Sequence, residues 1–145
     1  MKKFTKLLSV LLVLALALSV VACSSYGKVE KAIKDLGFTA VQNEQLEKQY
    51  EDKERVTNVH VLEKASLLGK DYVVVLEFKS TEKLVEFFNE SETLKGFVSD
   101  LSSNEDVKAM HAALEEYGLV CDNCIIIPTL TNFAFVMPAI AELNK

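Results

Sequence analysis

The first 22 residues determine how much of this 145-residue chain is available to fold into a domain. They begin with three lysines among the first six residues and continue with an almost purely apolar run over residues 7–22. The composition then becomes polar at Ser24. A basic start, an apolar middle and a small residue before a polar stretch are typical of a cleaved secretory signal peptide. We therefore expect residues 1–22 to be removed and residues 28–145 to form one domain.

A cysteine follows the small residue at the expected cleavage point. The run Val20-Val21-Ala22-Cys23 resembles the lipobox of bacterial lipoproteins, with valine in place of the usual leucine three positions before the cysteine. That resemblance implies cleavage between Ala22 and Cys23, acylation of the Cys23 thiol, and a short lipid-anchored tether over residues 23–27. It also implies a bacterial protein that is held on the outer face of the cell membrane.

The alternative for this segment is an uncleaved transmembrane helix. The 16 residues of the run 7–22, at 1.5 Å per residue, span about 24 Å, which is less than the ~30 Å hydrocarbon core of a bilayer. The run therefore fits a signal peptide better than a membrane-spanning anchor. A lipid anchor holds a protein stably once two acyl chains are attached, since each buried methylene contributes only about 0.8 kcal/mol.

Charge limits the partners that the mature chain can have. Removal of the three N-terminal lysines takes the formal net charge from −5 to −8, because residues 1–22 contain no acidic side chain. A domain this acidic is repelled by an anionic membrane surface, and it lacks the basic patch that nucleic acid requires. We therefore expect attachment to the membrane through lipid on Cys23, and no nucleic-acid partner.

Hydrophobic periodicity predicts that the domain begins with a helix near residue 28. Apolar residues recur at helical spacing from Val29 to Leu36, and Gly37 stands where a left-handed C-terminal cap is expected. The next segment, residues 43–55, is charged and weakly patterned. The sequence leaves open whether this segment is helical.

The middle and the end of the chain contain strand and helix patterns in succession. Residues 72–78 form a dense β-branched and aromatic run of the kind found in central strands. An alternating strand over residues 56–62 precedes it, and residues 68–71 are predicted to turn between the two. Helices are predicted next over residues 81–101 and 107–117, and the sequence leaves open whether the first of them breaks near 89–91. A strand over 119–128 and a closing helix over 131–143 complete the chain.

This order of elements predicts an α+β domain with a mostly antiparallel sheet and helices packed on one face. It also resembles a loose group of small extracytoplasmic lipoproteins of Gram-positive bacteria. The resembling parts are residues 29–38, residues 72–88 and the Asp122-Asn123 turn before three consecutive isoleucines. This group has no assigned chemistry, so the resemblance implies an architecture and no site.

One motif invites a chemical reaction, namely Cys121-Asp122-Asn123-Cys124. Two cysteines at this spacing outside the membrane can act as a redox pair, which makes an extracytoplasmic thiol–disulfide oxidoreductase the alternative function. A reactive thiol of this kind is usually activated at a helix N-terminus, whereas this pair runs directly into a strand. We therefore favour a local disulfide across a tight turn, or two small buried thiols, and assign no catalytic residue.

Metal binding is the other chemistry that the cysteines can support. Zinc takes four ligands, and Cys121, Cys124, His60 and His111 are the candidates. The two histidines are isolated and lie in different predicted elements, so we expect no metal. The sequence also contains no phosphate-binding loop, no nucleophile elbow and no metalloprotease motif, and we expect no cofactor.

The sequence therefore favours a membrane-tethered, non-enzymatic domain outside the cell that binds a protein, a peptide or a small molecule. A purely structural component of the cell envelope is a third hypothesis. Phe133 and Phe135 cannot both share one helix face with Ile140, which leaves open an exposed apolar patch for a partner. The identity of the ligand stays open.

Overall fold

The computed structural model describes residues 25–99, 101 and 106–145 of the chain. The predicted signal peptide, its cleavage point and Cys23 lie outside the described residues. The helices are α1 Ser25–Asp35, α2 Glu44–Gln49, α3 Thr81–Glu90, α4 Glu92–Phe97, α5 Val107–Tyr117 and α6 Phe133–Leu143. The strands are β1 Thr39–Val41, β2 Val56–Ser66, β3 Gly69–Phe78, β4 Val120–Cys121 and β5 Cys124–Pro128.

The five strands form one antiparallel sheet in the order β1-β2-β3-β5-β4, with β3 in the centre. The long β2–β3 hairpin turns at Leu67 and Leu68, because Ser66 already pairs with Gly69. The turn therefore comes earlier than the predicted position at residues 68–71. The polar residues at the predicted turn continue the ladder instead, with Lys70 opposite Ala65 and Asp71 opposite Lys64.

The central strand β3 is buried on both faces of the sheet. Val74, Leu76 and Phe78 belong to a core shared with α3, α4 and α5, whereas Val73 and Val75 belong to a second core shared with α1 and α6. The predicted α+β class and antiparallel sheet are confirmed. The helices differ from the prediction in covering both faces of the sheet rather than one, because a strand that is apolar on both sides must be shielded from water on both.

Local signals in the sequence set several helix ends. Ser80 and Ser91 each accept a backbone hydrogen bond at the start of α3 and α4, so the helical pattern does break near residue 91. Gly118 ends α5 in the left-handed conformation, at φ +81°. A side chain at this position would also collide with the backbone of α6, since a Cβ would lie 1.9 Å from the carbonyl oxygen of Met137. Glycine at 118 therefore serves both the cap and the packing of α6.

Two segments near the N-terminus differ in detail from the expectation. Helix α1 begins at Ser25 rather than near residue 28, so the last three residues of the predicted tether are helical. In the segment 43–55, only α2 is helical, and its first turn is capped by the side chain of Asn43. The structure thus places regular structure almost directly after the predicted lipid-attachment cysteine.

Candidate functional site

The start of α1 is fixed to the β4–β5 turn by side chains. The Ser25 hydroxyl donates a hydrogen bond of 2.6 Å to Asp122 Oδ2. The next residue, Tyr26, stacks on the ring of His60 with centroids 3.5 Å apart and an angle of 12° between the planes. His60 Nε2 in turn lies 2.9 Å from Glu77 Oε2. We call the end of the sheet that carries these residues the proximal end, because the chain enters the domain there.

Cys121 and Cys124 lie directly opposite each other at the proximal end. They are the paired residues that flank the two-residue turn between β4 and β5, in which Asp122 adopts a φ of +50°. Directly opposed residues in an antiparallel pair have Cα atoms about 4.5–5.5 Å apart, which is within disulfide reach. Both thiols are free in the structure, and both are buried in the core shared with α1 and α6. The predicted local disulfide is therefore compatible with this geometry and stays a prediction.

The environment of the two thiols opposes their ionisation. Burial, with a smaller contribution from Asp122 and Glu115, raises the pKa of Cys121 from 9.0 to about 11. Burial also raises the pKa of Cys124, and the nearby Glu77 carboxylate acts in the same direction. Thiols of this kind are almost fully protonated at neutral pH, whereas redox catalysis requires an accessible thiolate.

The two histidines have protein partners of their own. His60 contacts Tyr26 and Glu77, as described above, whereas His111 Nε2 lies 2.6 Å from the backbone oxygen of Asp122 and His111 Nδ1 lies 3.2 Å from Glu115 Oε1. Within the described ranges, no three histidine, cysteine, aspartate or glutamate side chains are grouped so that they can hold a metal ion. The four zinc candidates of the sequence therefore do not come together as a ligand set.

The opposite end of the sheet exposes large apolar side chains. Leu67 and Leu68 at the tip of the β2–β3 hairpin are fully exposed, at 105% and 100% of their accessible area. Leu130 and Phe135 are exposed to 80% and 67%. We call these four residues the apolar end. No motif in the sequence marks Leu67, Leu68 or Leu130 as functional, although two leucines beside a glycine turn signal are an unusual tip for a hairpin.

Contacts of the neighbouring residues show that Leu130 and Phe135 lie at this end. The backbone N–H of Thr129 donates to the oxygen of Tyr72, close to the hairpin tip. Phe135 lines a shallow cavity of about 160 Å³ whose other lining residues are Leu36, Phe38, Lys64 and Asn132. Phe133 faces elsewhere, since its ring stacks on Phe97 at a centroid distance of 5.2 Å. The two phenylalanines thus lie on different faces of α6, and Phe135 is the exposed one.

The hairpin tip of the apolar end, Leu67 and Leu68, is separated from the proximal end by the length of β3. This strand has 10 residues, and at ~3.3 Å per residue it spans roughly 30 Å. Its first residue, Gly69, follows the hairpin tip, and the backbone N–H of its last residue, Phe78, donates to Asn123 in the β4–β5 turn. The exposed leucines therefore lie about as far from Ser25 as the sheet allows.

No protein-family model, no curated protein and no solved structure matches this chain. In the part of the chain that the structure describes, no helix is both long enough and apolar enough to cross a membrane.

Proposed function

We propose that this protein is a bacterial lipoprotein, anchored through lipid on Cys23, whose extracytoplasmic domain binds a protein partner with its apolar end. The observation that carries the proposal is the roughly 30 Å length of β3, which separates the β4–β5 turn beside Ser25 from Leu67 and Leu68 at the apolar end. Cys23 precedes Ser25 by two residues, and Ser25 is bound to Asp122. Because the connection is so short, lipid on Cys23 would hold the proximal end against the membrane and direct the apolar end away from it.

The chemistry of the apolar end favours a protein as its partner. Exposed apolar patches on a domain surface commonly mark docking sites, particularly when charged residues surround them. Here Lys70 lies 3.4 Å from Glu63 on the stem of the hairpin, and Lys64 and Asp71 are cross-strand neighbours. Both signs of charge therefore surround the leucines. A membrane-binding surface would instead be predominantly basic, and it would lie on the anchored side.

The alternative function, a thiol–disulfide oxidoreductase using Cys121 and Cys124, has less support. The two thiols are within disulfide reach of each other, but they are buried and their pKa values are raised. Neither lies at the N-terminus of a helix, where the dipole would stabilise a thiolate. The geometry suits a structural pair better than a catalytic one.

Site-specific photo-crosslinking in bacterial cells tests the proposal. A photoreactive amino acid at Leu68 should give one discrete protein adduct, and the same group at exposed Glu116 on α5 should not. Leu130→Lys, at the same end, should weaken the adduct at position 68. An adduct with lipid, an adduct of twice the mass of the chain (a second copy), or no adduct that depends on the apolar end would each contradict binding of a different protein.

A further inference from the structure

The outer edge of β2 is only partly covered by a neighbouring strand. β2 extends from Val56 to Ser66, but β1 pairs with just three of its residues, 61–63. Within the described ranges, residues 57–59 have no strand beside them on that side, because the chain leaves the sheet after β1 and forms α2. We call residues 57–59 the free edge. An uncovered strand edge is a template for pairing with another chain.

The register of the sheet shows which backbone groups point outward at the free edge. The N–H of Phe78 donates to Asn123 on the β5 side, so the preceding Glu77 directs its backbone groups towards β2. Asn58 lies opposite Glu77, and the following residue, Val59, therefore points away from β3. Within the described residues, neither the N–H nor the carbonyl oxygen of Val59 has a hydrogen-bond partner on this outer side.

An open groove of about 590 Å³ lies along the free edge. All three residues of the free edge line it. Because successive side chains point to opposite faces of a sheet, a groove that touches all three lies beside the strand rather than over one face. The other wall consists of Glu44, Glu47 and Lys48 on α2, and of Glu51 just beyond the end of this helix. The groove therefore has room for a further strand beyond the end of β1.

The charge of the α2 wall indicates what kind of chain fits the groove. The wall carries three carboxylates and one ammonium group. Among the described ion pairs, these four residues take part in one, between Glu51 and Lys53 at 3.9 Å, in which both side chains are largely exposed and the attraction is weak. A negative wall attracts a basic segment. It repels a second copy of this chain, which would bring the same carboxylates to the edge.

We propose that the groove binds a short, extended, basic segment of another protein, which adds to the sheet as a strand beside the free edge. In this mode of recognition, backbone hydrogen bonds provide affinity and alternate side chains provide specificity. The outward N–H and carbonyl oxygen of Val59 would pair with the backbone of the segment. Lysine or arginine at every second position would place all the cations on the side that faces α2. The free edge lies near the proximal end, so this site is distinct from the apolar end.

Protection of the edge is the competing explanation. Charged side chains and bulges at an edge hinder unwanted pairing, and β2 has a register shift between Val56 and Asn58. Protection alone predicts that no extended peptide binds at the free edge. The proposal predicts that basic peptides bind there and that acidic peptides do not.

Three five-residue peptides with acetyl and amide ends distinguish the two explanations. The first alternates lysine and threonine, the second has glutamate in place of lysine, and the third is the lysine peptide with N-methyl groups on its backbone nitrogens. The full chain is solubilised in an uncharged detergent, and the amide signals of Val59 and of Glu63, which β1 covers, are followed by NMR. The lysine peptide should shift the Val59 signal saturably and leave Glu63 unchanged. The other two peptides should bind at least about tenfold more weakly, since one lacks the cations and the other lacks the backbone donors.

Two variants test the role of the α2 wall. Glu47→Gln keeps the shape of the groove and removes one charge, so it should weaken binding of the lysine peptide about threefold. Glu116→Gln makes the same change at an exposed residue of α5 and should leave binding unchanged.

Several results would overturn the proposal. It is wrong if the Val59 signal does not respond to the lysine peptide, or if the lysine and glutamate peptides bind equally. It is also wrong if the N-methylated peptide binds as tightly as the unmodified one, or if the two variants weaken binding to the same extent. A Val59 signal that shifts with protein concentration in the absence of peptide would instead indicate pairing between two copies of the chain.

Discussion

Ser25 and Asp122, 97 positions apart in the sequence, are joined by a hydrogen bond of 2.6 Å between their side chains. This contact attaches the first described residue to the turn between β4 and β5. It is exposed, so we expect it to contribute little to the free energy of unfolding. Its importance lies in geometry, because it would limit how far the domain can move from the proposed lipid on Cys23.

The first prediction concerns that lipid. Cys23→Ala should leave an unprocessed precursor that takes up no labelled palmitate in bacterial cells, because acylation requires the thiol. Cys121→Ala is the matched control, since it removes another cysteine of the chain and should leave labelling unchanged. A Cys23→Ala protein that is still lipidated and cut at the same place would contradict the lipobox prediction.

The second prediction concerns the orientation of the domain on the membrane. A fluorescent amino acid is placed either at exposed Glu82, at the start of α3 near the proximal end, or at Leu68 in the hairpin tip. In vesicles that contain quencher lipids, the lipidated protein should be quenched more strongly at position 82 than at 68. The proposed orientation is wrong if quenching is equal at the two positions or stronger at Leu68.

The third prediction concerns the core shared with α3, α4 and α5. Phe88 is 1% exposed and belongs to the same core as Leu76 and Phe78 of β3. Phe88→Ala should therefore lower the free energy of unfolding by about 3–5 kcal/mol, a large part of the ~5–15 kcal/mol of a typical domain. Phe135→Ala makes the same change at a residue that is 67% exposed, and it should cost less than about 1 kcal/mol.

Urea unfolding of residues 24–145, followed by circular dichroism, provides both values. Equal costs at positions 88 and 135 would contradict the assigned burial. If Phe88→Ala prevents folding, the prediction is met in its extreme form. Phe88→Leu should then give a smaller, measurable loss in the free energy of unfolding.

Local chemistry explains what could be predicted of this fold from the sequence. Gly37 and Gly118 adopt the left-handed conformation at the ends of helices, and Ser80 caps the start of another. These helix boundaries can be predicted because each depends on only a few neighbouring residues. The apolar run of β3 was correctly predicted as a central strand. Because nearly every residue of this run is apolar, both of its faces must be buried, as they are in the structure. The prediction of helices on one face overlooked this consequence.

The candidate sites were less accessible to sequence reasoning. Leu130 and the Leu67–Leu68 tip are far apart in the sequence, and only the pairing of Tyr72 with Thr129 brings them to one end of the sheet. The spacing and context of the cysteine pair predicted a local disulfide or two buried thiols, and the structure adds that both thiols lie in the core shared with α1 and α6.

The last prediction concerns the pH dependence of that pair. An unfolded cysteine ionises with a pKa near ~8.5, whereas burial raises the pKa of folded Cys121 to about 11. The unfolded chain thus loses its thiol protons at a lower pH than the folded chain. The stabilisation from protonated thiols is therefore complete below about pH 8.5 and is lost as the pH rises towards 11. Stability should fall over this range, and less so in the Cys121→Ala, Cys124→Ala double variant.

Alkylation provides the matching kinetic measurement. With iodoacetamide, the reduced domain of residues 24–145 should react slowly between pH 6 and 8, because only the thiolate attacks and the thiols are buried. The rate should rise about tenfold per pH unit over this range without reaching a plateau, since both pKa values are raised. Urea should accelerate the reaction strongly by exposing both thiols. Fast modification of the folded domain near pH 6, with an apparent pKa well below ~7, would instead favour the oxidoreductase alternative. Trapping of a mixed disulfide by Cys124→Ser, but not by Cys121→Ser, would then identify Cys121 as the attacking thiol.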